Sequence, residues 1–199
     1  MNNSARLDFL KELANIGTGH ATTALSQMLH GKLFRLVTPD AQMLPFEELA
    51  EYIGGLEQIV AGIFIVISGD VKGYMAFLMP YESALLLVEL LTGEFDGEEL
   101  GELERSALQE IGNIMITSYL NALSKMTGLL MIPSIPALAI DMAGAVWQSV
   151  LAGAEVTSDV TLIRTEFSAQ GKAIEGNIIF LPDEEDFARV ARILGLEAE

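Results

Sequence analysis

The chain has no cysteine, two histidines, one tryptophan, and only 11 lysines and arginines against 28 acidic residues. Each scarcity removes a class of chemistry. Without cysteine there is no disulfide, no thiol nucleophile and no thiolate-bound zinc, a composition compatible with a reducing cytosol. His20 and His30 stand apart with no carboxylate cluster beside them, so neither reads as a metal ligand. The formal charge of −17 repels phosphate backbones and anionic lipid, and no run of Lys and Arg offsets it. Nucleic acid and membrane surfaces are therefore not expected partners. The glycines lack the spacing of a phosphate-binding loop, and no nucleotide site is expected.

Long hydrophobic runs are also missing, although 51% of the residues are hydrophobic. The longest apolar stretch, Leu129 to Ile140, is interrupted by Pro133, Ser134 and Pro136. It falls short of the ~20 residues a membrane-spanning helix needs. The start, MNNSARLDFLKEL, has no basic region leading into an apolar core, so no secretory signal is expected. The expectation is a cytoplasmic protein without membrane insertion, with apolar residues enough for a packed core.

What the chain does contain is a second copy of itself. KELANIGTGHATTALSQM (11–28) aligns without gaps on QEIGNIMITSYLNALSKM (109–126). Glu12, Asn15, Ile16, Ala24, Leu25, Ser26 and Met28 fall on Glu110, Asn113, Ile114, Ala122, Leu123, Ser124 and Met126, where chance would supply about one identity. Pro80 and Gly93 recur at the same interval as Pro182 and Gly195, each pair reading as the start and stop of a short helix. Before each lies a β-rich pair with a turn signal, Ser68-Gly69-Asp70 in one half and Gln170-Gly171-Lys172 in the other. The expected architecture is α+β, an internally duplicated unit with pseudo-twofold symmetry. Each half would hold a long helix, strands including a β-hairpin, and a short helix, joined in one sheet with helices outside. Residues 1–199 then form one domain of two repeats, about 4–93 and 104–196, joined by an acidic linker at 94–103. The segment between strand and hairpin differs most, being polar at 47–55 and an apolar helix candidate at 141–154.

Each long helix carries a polar stripe. In the first, Leu7, Leu10, Ala14, Gly17, Ala21, Ala24, Leu25 and Met28 follow the helical period and form the expected buried side. Opposite run Asp8, Glu12, Asn15, Gly19, Thr22 and Ser26, and in the second helix Ser106, Glu110, Asn113, Thr117, Leu120 and Ser124. A Glu and an Asn three residues apart are neighbours on one face, with Asp8 or Ser106 one turn earlier. A single such pair would read as solvated surface. Two in register read as function, because several core positions differ between the copies while Glu and Asn recur. Asn is moreover a poor residue for a helix interior, costing ~0.6 kcal/mol relative to Ala.

At these residues the chain resembles the CheC/CheX/FliY family of chemotaxis phosphatases. The family motif runs Asp or Ser, three residues, Glu, two residues, Asn, twenty-two residues, Pro. Ser106, Glu110, Asn113 and Pro136 match it in full; Asp8, Glu12 and Asn15 match it with Pro39 one residue late. The resemblance covers essentially the whole chain. With both motifs present and the sequence ending at Glu199, the CheC type is the expected match.

The resemblance implies hydrolysis of the phospho-aspartate of the response regulator CheY. Glu12, Asn15, Glu110 and Asn113 would be catalytic, with Asp8, Ser106, Pro136 and Pro39 in support. It implies no cofactor of the chain's own, Mg²⁺ being brought by the bound regulator, and it names phosphorylated CheY and CheD as partners. The competing reading is a non-catalytic module that binds CheD or the flagellar switch. If one site dominates, the complete motif favours Glu110/Asn113. Trp147 and most of the nine methionines read as core. Gly17, Gly19 and Gly112 each cost about 1 kcal/mol against Ala inside a helix, explained either by close packing or by close approach of a partner.

Overall fold

In a computed structural model, residues 3–28, 34–45, 48–93, 100–151, 159–169 and 172–195 are described. The first half runs α1 (Asn3–Met28), β1 (Phe34–Pro45), α2 (Leu49–Tyr52), β2 (Ile59–Gly69), β3 (Gly73–Pro80) and α3 (Tyr81–Thr92). The second runs α4 (Glu102–Thr127), β4 (Met131–Pro133), β5 (Ala137–Met142), α5 (Ala143–Leu151), β6 (Asp159–Ala169), β7 (Lys172–Pro182) and α6 (Glu184–Ile193). The order of elements is the expected one, and the two long helices are each 26 residues.

All seven strands join one antiparallel sheet in the order β1-β6-β7-β3-β2-β4, with β5 beside β4 on the same side of β2. Each half contributes its hairpin to the centre, where β3 meets β7, and sends its edge strand across to the other half's hairpin. Neither half could complete its sheet alone. Residue alternation sorts the strands' two faces. Ile63, Ile65, Met75, Phe77, Ile163 and Ile178 face a core shared with α1, α3, α4 and α6. Val60, Leu78, Leu162 and Ile179 face a second core closed by Leu49 and Ile53 around α2 and by Val146 and Trp147 of α5. At about 1.5–3 kcal/mol for each large side chain fully buried, these two apolar layers dominate the stability.

Local signals set the element ends. Pro80 caps α3, where its missing N–H is no loss, and Gly93 ends it at φ 97°. Gly128 ends α4 in the left-handed region and donates its N–H to the Ser124 carbonyl at 2.8 Å. The last pair of the first hairpin is Ile67 with Gly73, so the chain reverses over Ser68 to Lys72, which includes the expected Ser68-Gly69-Asp70; Ser68 and Gly69 also pair with Ile132 and Met131 of β4. Gln170 and Gly171 of the second expected turn lie outside the described residues, as does most of the expected linker; α4 begins within its end, at Glu102. No helix among the described residues is long and apolar enough to cross a membrane.

Candidate functional site

Helices α1 and α4 lie against each other on one face of the sheet. Their crossing is built on a size match. A Cβ on Gly17 would lie 2.3 Å from Cδ1 of Tyr119, so the glycine is what lets the ring seat on the α1 backbone. The Tyr119 hydroxyl then shares a 3.0 Å hydrogen bond with Oγ1 of Thr18. At the aligned positions the small and large residues are exchanged, Met115 standing for Gly17 and Ala21 for Tyr119. Gly112 serves the other contact of α4: a Cβ there would meet the Ile63 side chain of β2 at 2.5 Å. Close packing therefore accounts for Gly17 and Gly112. Gly19 is different, exposed and, among the described residues, with nothing within 4 Å of the place its Cβ would take.

The expected polar stripe of α1 is on the outside: Asp8, Glu12, Asn15 and Gly19 are exposed, Thr22 and Ser26 half-buried. The buried side holds Leu10, Ala14, Gly17, Ala21 and Leu25, with Ala24 and Met28 only half-buried; Leu7 lies outside the described side chains. Phe9 and Leu13 are buried as well, which widens the stripe beyond the expected one. On α4, Ser106 and Glu110 are exposed, while Asn113, Thr117 and Ser124 are half-buried. Leu120, expected to face outward, is buried instead. The cause is the deeper seat of α4, which packs on α1, α3 and strands β2 to β5, whereas α1 rests chiefly on α4 and β1.

The motif prolines sit at interruptions of the two edge strands. Pro136 lies between β4 and β5, which pair with β2 on either side of the break. Its carbonyl accepts from Nε2 of Gln109 at 3.4 Å, tying the break to α4 one residue before Glu110. Pro39 lies in β1 where the register with β6 shifts between Val37 and Asp40. Pro has no N–H to give a ladder, and an edge-strand bulge is where a sheet tolerates it. Nothing in the sequence announced the Gln109 contact, since Lys11 occupies the aligned place on α1.

Both Glu/Asn pairs thus sit on helices braced by their mutual crossing and by the sheet beneath, with Glu12, Asn15 and Glu110 exposed and Asn113 half-buried. A cavity of about 210 Å³ lined by Tyr52, Gln58, Arg164 and Asn177 lies beside α2, on the far side of the sheet, and takes no part in this arrangement. The cavity is not lined by either Glu/Asn pair. A helix that carries such a pair can enter a cleft on another protein, where the carboxylate pairs with a cation and the amide both donates to and accepts from a water.

These features define a sheet-and-helix protein with a Glu/Asn stripe on each of two packed helices. The comparisons agree. A family model described as CheC-like family matches residues 6–40 and 103–140, each stretch running from a Glu/Asn helix to an edge strand. Over 197 residues the chain is 36% identical to the CheY-P phosphatase CheC of Bacillus subtilis (strain 168), covering 96% of this chain and 94% of that protein. The chain belongs to the CheC-like family. Its fold is that of the crystal structure of Thermotoga maritima FliY, at TM-score 0.75 and 19% identity over 98% of both chains. It also matches the CheX-CheY-BeF3-Mg+2 complex from Borrelia burgdorferi, at TM-score 0.51 and 21% identity over 86% of this chain and 98% of that one.

Proposed function

We propose that the chain ends a chemotaxis signal by hydrolysing the phospho-aspartate of phosphorylated CheY, using Glu12/Asn15 and Glu110/Asn113 as two sites on one domain of two repeats. The observation that carries this reading is the pairing itself. Two helices of equal length, packed against each other, each carry a Glu and an Asn three residues apart, with Glu12, Asn15 and Glu110 exposed and Asn113 half-buried. The chain that bears them is 36% identical to a CheY-P phosphatase. A CheX of related fold that is found in complex with CheY adds support.

The chemistry asks little of these residues. An aspartyl phosphate is a reactive acyl phosphate; water attacks phosphorus, the bond from phosphorus to the carboxylate oxygen breaks, and the products are inorganic phosphate and the free aspartate. The regulator brings Mg²⁺ and its own lysine to the departing charge. Asn15 or Asn113 orients the attacking water in line, since an amide offers both an acceptor and a donor. Glu12 or Glu110 pairs with the regulator's lysine and fixes the helix over the phosphate. Catalysis of this kind is positioning, for which no strong base is needed.

The test is the decay of phosphorylated CheY with wild-type protein and with Asn15→Ala plus Asn113→Ala. The double variant should keep its fold and lose the acceleration, by about a hundredfold or to the spontaneous rate. Full acceleration in the double variant refutes the reading. Binding of CheD or phosphorylated CheY without any turnover by the wild type would favour the interaction module instead. CheD remains part of the proposal as a second partner, and Glu110/Asn113 with its full motif as the stronger site.

A further inference from the structure

Nothing among the described residues accounts for Gly19. Glycine is kept in proteins for a left-handed φ, for close packing, or for a helix end. Gly19 is absent from the glycines with positive φ. It lies in the interior of α1, nine residues short of Met28. A Cβ added to it would meet nothing within 4 Å. An alanine would therefore fit, and would strengthen the helix. Gly17, two residues earlier, shows what an internal cause looks like, with Tyr119 filling the space.

What distinguishes Gly19 is its place. It is exposed and lies one turn beyond Asn15 on the stripe that holds Glu12 and Asn15. On α4 the aligned position is Thr117, a half-buried side chain whose hydroxyl donates to the Asn113 carbonyl at 2.6 Å. The two faces thus differ at the same point. On α1 no side chain rises from that position, and the Gly19 carbonyl accepts a 3.0 Å hydrogen bond from the Thr23 hydroxyl one turn on.

We propose that Gly19 is a positioning residue of the first site: a segment of the bound regulator packs directly on the α1 backbone there, and this contact sets how deeply Asn15 enters the partner. The second site, with Thr117 in the way, seats the same regulator from a greater distance. The two sites are then unequal by shape even though their Glu/Asn pairs match. The inference rests on the phosphatase reading above.

The experiment isolates the first site with Asn113→Ala and adds Gly19→Ala or Gly19→Gln, both good helix formers of increasing size. Urea midpoints and steady-state hydrolysis of phosphorylated CheY are measured on each. Both substitutions should raise the urea midpoint. Both should also raise KM, by roughly tenfold for Ala and more for Gln, with kcat changed less, since one methyl in a tight contact is worth about that. In an Asn15→Ala background, where only the second site works, the same substitutions should leave turnover unchanged. A purely structural glycine would move the midpoint and not KM, and that result overturns the proposal. It is equally overturned if Gly19→Ala slows the second site as much as the first, or if Asn113→Ala alone removes all turnover. Failure of the phosphatase reading is seen separately, as full activity in the Asn15→Ala plus Asn113→Ala protein.

Discussion

Replacing Gly17 by alanine sets two effects against each other at one atom. Alanine should stabilise an interior helical position by about 0.8–1 kcal/mol over glycine. Here the new methyl would lie 2.3, 2.6 and 2.7 Å from Cδ1, Cε1 and Cγ of Tyr119, well inside the ~3.5–4.0 Å that carbon atoms prefer. The ring has no room to yield, because Tyr119 is fully buried and its hydroxyl is bonded to Thr18 at 3.0 Å. Overpacking of this kind costs about 1–3 kcal/mol, and loss of the hydrogen bond about 1 more. Set against the propensity gain, the net is a destabilisation of roughly 1–3 kcal/mol. Urea unfolding should therefore show a lower midpoint at unchanged slope. A smaller residue opposite should relieve it: with Tyr119→Leu already present, Gly17→Ala should be neutral or stabilising, a coupling of at least about 1 kcal/mol. A Gly17→Ala protein as stable as wild type, or the same loss in both backgrounds, would refute the packing argument. The contrast with Gly19→Ala, expected to stabilise, gives the reasoning a second sign to get right.

Two further outcomes follow from contacts away from the crossing. Trp147 fills the core on the sheet face opposite α1 and α4, so Trp147→Ala should cost about 3–5 kcal/mol in urea unfolding. Turnover per folded molecule should be unaltered, and a loss in stability under about 1 kcal/mol would contradict its place in that core. Gln109→Ala removes the bond to the Pro136 carbonyl; at 3.4 Å it should cost no more than about 1 kcal/mol of stability. It should slow the second site by about tenfold, by freeing the segment that braces α4 beside Glu110, and spare the first. Equal rates for wild type and Gln109→Ala, measured with Asn15→Ala present, would remove Pro136 from any supporting role.

Periodicity and repetition, which are properties of the chain alone, determined much about this protein. The helical period placed Glu12 and Asn15 outward and Ala21 and Leu25 inward, because a helix face follows from spacing without reference to its neighbours. Pro80 and Gly93 marked the ends of α3 for the same reason, each acting through its own backbone dihedral. The aligned Glu/Asn pairs are likewise legible in the chain alone, since they recur at a fixed offset.

Tertiary structure decided what depends on who packs against whom. Leu120 was expected outside and is buried, since α4 lies deeper on the sheet than α1 and only the assembled layers set how much of each helix stays exposed. The exchange of each edge strand into the other half's hairpin is a long-range pairing that local pattern does not encode. The three helical glycines are the sharpest case. As sequence they are alike, each a cost of about 1 kcal/mol. Only distances across the fold separate them: Gly17 under Tyr119, Gly112 against Ile63, and Gly19 with open space among the described residues where its Cβ would be.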